Sequence, residues 1–276
     1  MSELDRQAEQ GLRREVILVC QLLYQKNLIA ATDGNVSVRW GSEYLITTPS
    51  GLAKGVIQAE DLVVTDLQGN LAPEAVAVHN GYRPSSELRT HLEAYRQRPD
   101  VRAVVHAHPP IATALSVAGV SLAPCVLPET LVNLGTILTT QYATPTSADV
   151  PLVIRDLIGN HDALVLDRHG AVTVGASAMD AYTKMEKVEN TAVILAVAHT
   201  LGRVRTLPVD EVRRLSAKRN ALLAPERSFT GPDCELCGAC EGLSGTAKTA
   251  ERASGQDVEG IVRAVTLEIL GRLERT

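Results

Sequence analysis

The sequence predicts an α/β fold, with strands and helices interleaved about one layered core. Three observations carry this. Short β-branched runs alternate with segments of helical period along the chain. Glycine- and proline-bearing turns separate them. The 276 residues are enough to bury a full core as one large domain, or one domain with an appendage.

Taken in order, residues 4–28 read as a helix, with Leu12, Val16, Val19, Cys20 and Leu23 at helical spacing. Asp33-Gly34-Asn35 is a turn, and Val36 and Val38 alternate into a strand. Residues 44–47 follow the Gly41-Ser42 turn and complete a hairpin. Thr48-Pro49-Ser50-Gly51 is a loop, and 62–65 is a strand closed by a turn at Gln68-Gly69-Asn70. Pro84-Ser85-Ser86-Glu87 opens a helix running to about Arg98, with Ser85 or Ser86 placed to cap it and Pro99 to end it. Residues 101–106 form a strand and 111–117 a short helix. Strands at 163–166 and 171–174 flank Arg168-His169-Gly170, where the glycine permits a tight turn. A long helix over 178–200 puts Met185, Val188, Ala192 and Leu195 on one stripe, and 209–223 is one more helix.

Composition excludes several classes. A formal net charge of −5 and a pI near 5.8, with no basic cluster, argue against a nucleic-acid partner. No apolar run, 16–20 among them, comes near the roughly 20 residues of a membrane span. The polar residues 2–10 lack the regions of a signal peptide, so the protein reads as cytoplasmic. Five cysteines do not make a disulfide framework in a chain of this size.

The chemistry centres on Val104-Val105-His106-Ala107-His108-Pro109-Pro110, a strand ending in two histidines spaced i, i+2. Such side chains point the same way, so both imidazoles can converge on a metal that takes nitrogen ligands at about 2.0–2.1 Å. A His-x-His pair alone is a weak signal. His169, and Glu87 at the start of a helix, are the best candidates to complete the set. Three loops, at 34–37, 48–51 and 84–86, are rich in glycine and hydroxyls. Each alone reads as an ordinary turn; together with a helix start they supply N–H groups, hydroxyls and a dipole suited to a phosphate.

Gly34-Asn35-Val36-Ser37, Thr48-Pro49-Ser50-Gly51, Pro84-Ser85-Ser86-Glu87, His106-Ala107-His108 and His169-Gly170 resemble, in order and spacing, the motifs of the class II aldolase/adducin family, over about residues 8–205. The nearest catalytic branch is that of the L-fuculose-1-phosphate aldolases. The resemblance implies a three-layer α/β/α domain, assembled as a homotetramer with active sites between subunits. It also implies Zn(2+) on His106, His108 and His169, with Glu87 a ligand of the empty metal that swings away to act as acid/base. Gly34, Asn35, Ser50, Gly51, Ser85 and Ser86 match its phosphate-cradling positions. The implied reaction cleaves a ketose 1-phosphate, of L-fuculose or L-rhamnulose type, to dihydroxyacetone phosphate and lactaldehyde. A Lewis-acidic metal stabilises the enediolate that such cleavage leaves. One departure concerns the tyrosine that protonates the aldehyde oxygen from a neighbouring subunit: Ala123-Pro124-Cys125-Val126-Leu127-Pro128-Glu129 has none. This leaves Glu129 or an acid from elsewhere as the substitute and puts the exact substrate and its stereochemistry in question. Rival activities on the same fold are the methylthioribulose-1-phosphate dehydratases, which share the glutamate, and the pentulose-phosphate 4-epimerases, which carry aspartate there. An adducin-like interaction module lacks the metal histidines, all of which are filled here. His91, at i+4 from Glu87 on the same helix face, reads as a packing or interface residue, with a place behind the metal ligands as the alternative. His79, His161 and His199 read as surface or core residues, and Tyr142 has no assigned chemistry.

The chain thus divides into a catalytic domain at 1–224, a flexible linker at 225–253 and an amphipathic helix at 254–276. The linker carries Cys234, Cys237 and Cys240, which resemble part of an iron–sulfur cluster or second-zinc ligand set and lack a fourth member. In the last segment Val258, Ile261, Val262, Val265, Ile269 and Leu273 share one face. A short amphipathic helix behind such a linker resembles the encapsulation peptides of bacterial microcompartments, which implies shell-protein partners and a place in the lumen.

Overall fold

The computed structural model describes residues 3–73, 76–77 and 80–223, with side chains from residue 6. His79, the Cys234–Cys240 motif and the 254–276 helix lie outside the described residues.

The elements run α1 (Glu3–Gln25), β1 (Asn35–Trp40), β2 (Tyr44–Thr47), β3 (Val63–Asp66), α2 (Leu88–Gln97), β4 (Ala103–Ala107), α3 (Pro110–Val117), α4 (Pro128–Asn133), β5 (Leu138–Thr139), α5 (Asp149–Ile158), β6 (Ala163–Leu166), β7 (Gly170–Gly175), α6 (Ala178–Leu201) and α7 (Val209–Leu222). The strands form one seven-stranded sheet in the order β3-β2-β1-β4-β7-β6-β5. All neighbouring pairs are antiparallel except β5–β6.

Strand alternation divides the core between the two sheet faces. Val36, Val38, Val105 and Ala107 point to one face, where they meet Val16, Val19 and Leu23 of α1 and Met185, Val188 and Leu195 of α6. Leu45, Val104, Leu164 and Val172 point to the other, against Leu88, Leu92 and Tyr95 of α2 and Val150, Ile154 and Ile158 of α5. This is the three-layer α/β/α arrangement. The fully buried Met185 alone contributes about 2 kcal/mol by leaving water. A satellite cluster of Cys125, Leu131 and Val212 seats α7 on α4.

Two details differ from the sequence reading. The helix expected to open at Ser85 or Ser86 begins at Leu88, with Glu87 itself at the N-cap and no side chain capping it. The Ser85 hydroxyl instead accepts from the Glu87 N–H at 3.3 Å inside the preceding turn. Elements α4, β5 and α5 were not read at all. Pro128 and Pro151 sit in the first turns of the two helices, where proline is tolerated, yet they interrupt the pattern by which a helix is recognised.

Candidate metal centre

His106 lies on β4 with the parity of Val104, so its ring enters the α2 side of the sheet, and His108 continues that alternation past the strand end. The His108 N–H donates to Leu28 O at 2.8 Å, which fixes the chain as it leaves the strand. His169 sits in the β6–β7 turn, where its N–H donates to Leu166 O and Arg168 adopts a φ of 55°. Glu87 comes from the opposite layer, at the start of α2.

These four residues converge. One ligand atom of each lies within 4.8 Å of all the others. The three ring centroids form a near-equilateral triangle, 4.9, 4.8 and 4.9 Å apart. Glu87 bridges two of the rings, with Oε2 at 3.1 Å from His106 Nε2 and Oε1 at 3.2 Å from His169 Nε2. His106 Nε2 and His108 Nε2 are 3.1 Å apart. A tetrahedral ion with bonds of about 2.1 Å has ligand–ligand edges of about 3.4 Å, so these separations are of the right size.

The orientation of the rings and the charge of Glu87 suit a cation. His106 Nδ1 donates to Ala171 O at 2.9 Å, since a carbonyl only accepts, and this leaves Nε2 turned to the cluster. Burial pushes the His108 imidazole down to about 4, reinforced by His106 and His169 and opposed by Asp33 and Glu87. Burial works to raise the Glu87 carboxyl, but hydrogen bonds from His106 and His169 outweigh it and hold the group far below the usual carboxylate range. Three imidazole nitrogens with one carboxylate are the donor set of a divalent zinc-type site, and the residues present fit that group.

The three small-residue loops come together beside Glu87. The Val36 N–H donates to the Thr48 hydroxyl and the Thr48 N–H to Val36 O. Pro49 bridges Pro84, the Ser50 N–H donates to Arg83 O, and the Ser85 N–H donates to Thr48 O. Ser50, Gly51 and Ser86 remain exposed, whereas Asn35 is buried and donates through Nδ2 to Glu87 Oε2 at 3.2 Å. Gly34 has φ +70°, and a Cβ there would stand 3.0 Å from His106 O. Lys54, missed in the sequence, is buried between the loops and donates to Thr32 O at 2.7 Å and Leu52 O at 2.8 Å. Its signal was a lone lysine just after Ser50-Gly51. Glu129 is exposed in the first turn of α4, and Tyr142 is exposed. His91 and His161 are buried and His199 is exposed. No helix among the described residues is long and apolar enough to cross a membrane.

Residues 14–196 match the model of the Class II Aldolase and Adducin N-terminal domain. The chain is 33% identical over 187 residues to an L-fuculose phosphate aldolase of Methanococcus maripaludis, covering 68% of this chain and 97% of that one. It is 28% identical to a 3-oxo-tetronate 4-phosphate decarboxylase of Pectobacterium atrosepticum, covering 78% and 97%. The crystal structure of L-fuculose-1-phosphate aldolase from Thermus thermophilus matches with a TM-score of 0.59 at 32% identity, over 71% of this chain and 98% of that one. The chain belongs to the class II aldolase/adducin family and is a class II aldolase lyase.

Proposed function

We propose that this protein is a zinc-dependent aldolase that cleaves a ketose 1-phosphate of the L-fuculose or L-rhamnulose type to dihydroxyacetone phosphate and lactaldehyde. The observation that carries the reading is the convergence of Glu87, His106, His108 and His169, with Glu87 bridging two of the rings. Zinc, when bound, supplies a Lewis acid that draws charge from the substrate oxygens beside the breaking bond.

The chain's own residues do the rest. Ser50, Gly51, Ser85 and Ser86, with the Gly34-Asn35 turn, offer N–H groups and hydroxyls to the phosphate and so fix the sugar's register. As the C3–C4 bond breaks, its electron pair stays on C3 while the C4 hydroxyl becomes the aldehyde and gives its proton to a base, Glu129 or a group from elsewhere. Glu87 carries the proton delivered to C3. Asn35, by donating to Glu87, orients the carboxylate for this task. The Glu87→Gln variant should keep its metal and lose turnover by roughly 10²–10⁴. His106→Ala or His108→Ala should lose metal and activity together. Assaying purified protein against a panel of ketose 1-phosphates tests the substrate, and full activity of Glu87→Gln would sink the role given to Glu87.

A second reading is favoured by the 123–129 segment, which has no tyrosine, and by the decarboxylase relative. Loss of carbon dioxide from a 3-oxo sugar-acid phosphate leaves the same electron pair on carbon. The departing carboxylate carries no hydroxyl proton, so no phenol is needed. Carbon dioxide release in the same panel, extended to such acids, separates the two.

The remaining assignments belong to the same proposal. A homotetramer brings residues of neighbouring subunits to the site. Residues 254–276 direct the enzyme to shell proteins of a bacterial microcompartment, where a reactive aldehyde would be confined. A fluorescent protein fused to 250–276 that stays diffuse where the full chain is enclosed rejects that role. Iron, labile sulfide and zinc determinations on protein purified without oxygen decide whether Cys234, Cys237 and Cys240 hold a cluster or second zinc.

A further inference from the structure

Glu87, His91 and Tyr95 follow one another at i, i+4 and i+8 along α2, and they lie over Asn35 and Ser37, which point to the same side of β1. The contacts form a polar column leading from the metal centre into the core. Asn35 Nδ2 meets Glu87 Oε2 at 3.2 Å, and Ser37 Oγ meets His91 Nδ1 at 2.7 Å and Tyr95 OH at 2.9 Å. Tyr95 OH donates to Ser37 O at 2.9 Å.

The protons in this column can be counted. Tyr95 has one hydroxyl proton, and the Ser37 carbonyl can only accept, so the proton goes there. The Ser37 hydroxyl then donates to the Tyr95 oxygen. The remaining contact, Ser37 Oγ with His91 Nδ1, must be made by the ring N–H. His91 Nε2 is therefore a lone pair. The Asn35 amide is oriented in the same way: the Glu87 carboxylate accepts, so the NH₂ faces it and Oδ1 points elsewhere.

His91 Nε2 and Asn35 Oδ1 are both buried and neither has a protein hydrogen-bond partner. Both are acceptors, so they cannot bond to each other. Burial holds the His91 imidazole neutral, pushed down to about 3, with His106 adding to the effect and Glu87 opposing it. A cationic ring donating straight to Asn35 is thereby disfavoured. Leaving two buried acceptors bare would cost about 1–3 kcal/mol each.

We propose that one buried water molecule donates one proton to His91 Nε2 and the other to Asn35 Oδ1, and that His91, acting through this water and Asn35, is a positioning residue for Glu87. The inference deepens the metal-centre reading and rests on it for the role of Glu87. The water locks Asn35 from behind, so the amide cannot rotate away from the carboxylate it holds. Partners of this kind typically change metal affinity by about 10–100-fold when removed.

The test uses the full chain. A crystal structure of the zinc-loaded protein should show a water within hydrogen-bond reach of both atoms. The ¹⁵N spectrum of histidine-labelled protein should show His91 protonated at Nδ1 and bare at Nε2. His91→Phe should lose the water, weaken zinc by roughly 10–100-fold in chelator competition, and shift the visible bands of the cobalt-substituted protein. His91→Gln can donate to Ser37 and accept from the water, and should restore both readouts. A direct His91–Asn35 contact with no water, a proton on Nε2, or wild-type zinc affinity and cobalt spectrum in His91→Phe would each overturn the proposal. If His91→Phe does not fold, the water and the tautomer in the wild type decide. If the wild type binds no divalent metal, the aldolase reading fails, while the water and tautomer still judge this one.

Discussion

Gly170 packs directly on the Ala107 carbonyl, so a Cβ at 170 would overlap that oxygen and stand 2.8 Å from His108 Cδ2. The glycine follows His169 and faces the strand that carries the other two rings, so its missing side chain sets how near the β6–β7 turn can come. Gly170→Ala should separate the turn from β4, cost about 1–3 kcal/mol in urea unfolding, and lower bound zinc per chain. Unchanged zinc content with unchanged stability would show that the turn has room to spare.

Glu189 on α6 accepts the first free N–H groups of α3, those of Ile111 and Ala112, both at 2.9 Å. It thereby anchors the segment that leaves the His106-Ala107-His108 strand. Glu189→Ala strands two donors at a helix N-terminus and should lower stability by about 1–3 kcal/mol. Glu189→Gln keeps one acceptor and should cost less. The ratio of the two losses in thermal melts checks the assignment.

Lys54 ties the 32–35 turn to the 50–54 loop through two carbonyls. Burial draws its ammonium pKa down, offset in part by Cys20, Asp33 and Glu87. Lys54→Met should cost about 1.5–3 kcal/mol and release both loops, so the KM for the phosphorylated substrate should rise more than kcat falls. Equal losses in kcat and kcat/KM would place Lys54 at the reacting centre instead.

Acid should destabilise the metal-free protein earlier than its carboxylates alone require. His91 is held neutral with its pKa lowered to about 3, whereas the unfolded imidazole titrates near 6.5. Between those values the unfolded chain binds a proton that the folded chain does not. Stability is thus complete above about pH 6.5 and falls as pH drops, by up to about 1.4 kcal/mol per unit. His108, lowered to about 4, acts in the same sense. Urea titrations from pH 8 to 4 should show this slope, and His91→Gln should reduce it by about one proton.

Much of this was legible in the sequence because the local signals agreed with the tertiary ones. Val36 and Val38 alternate as a half-buried strand should, and Met185, Val188, Ala192 and Leu195 are all buried on α6. His106 and His108 could be placed on one side from strand parity alone. Glu87 was legible only through its motif, for nothing local shows that a residue before α2 meets a turn beyond β6. The 128–158 stretch was silent because α4 is only six residues long and prolines in the first turns of α4 and α5 interrupt the helical pattern. Lys54, Glu189 and the Ser37–His91–Tyr95 column were invisible for a different reason. Each joins residues far apart in the chain, and a single lysine, glutamate or serine carries no period.

The sheet order β1-β4-β7 has a consequence for how the protein acquires its metal. The four residues of the candidate site come from an N-cap, the end of one strand, which gives two of them, and a hairpin turn, spread between positions 87 and 169. Of these four, an extended chain brings only the two imidazoles of His106-Ala107-His108 close together. Full affinity appears only after β4 and β7 have zipped in register and α2 has docked across them, since those contacts must first meet the entropy of closing long loops. On the proposed reading the ion would therefore not template this fold but arrive late, held by chains whose central strands are correctly aligned.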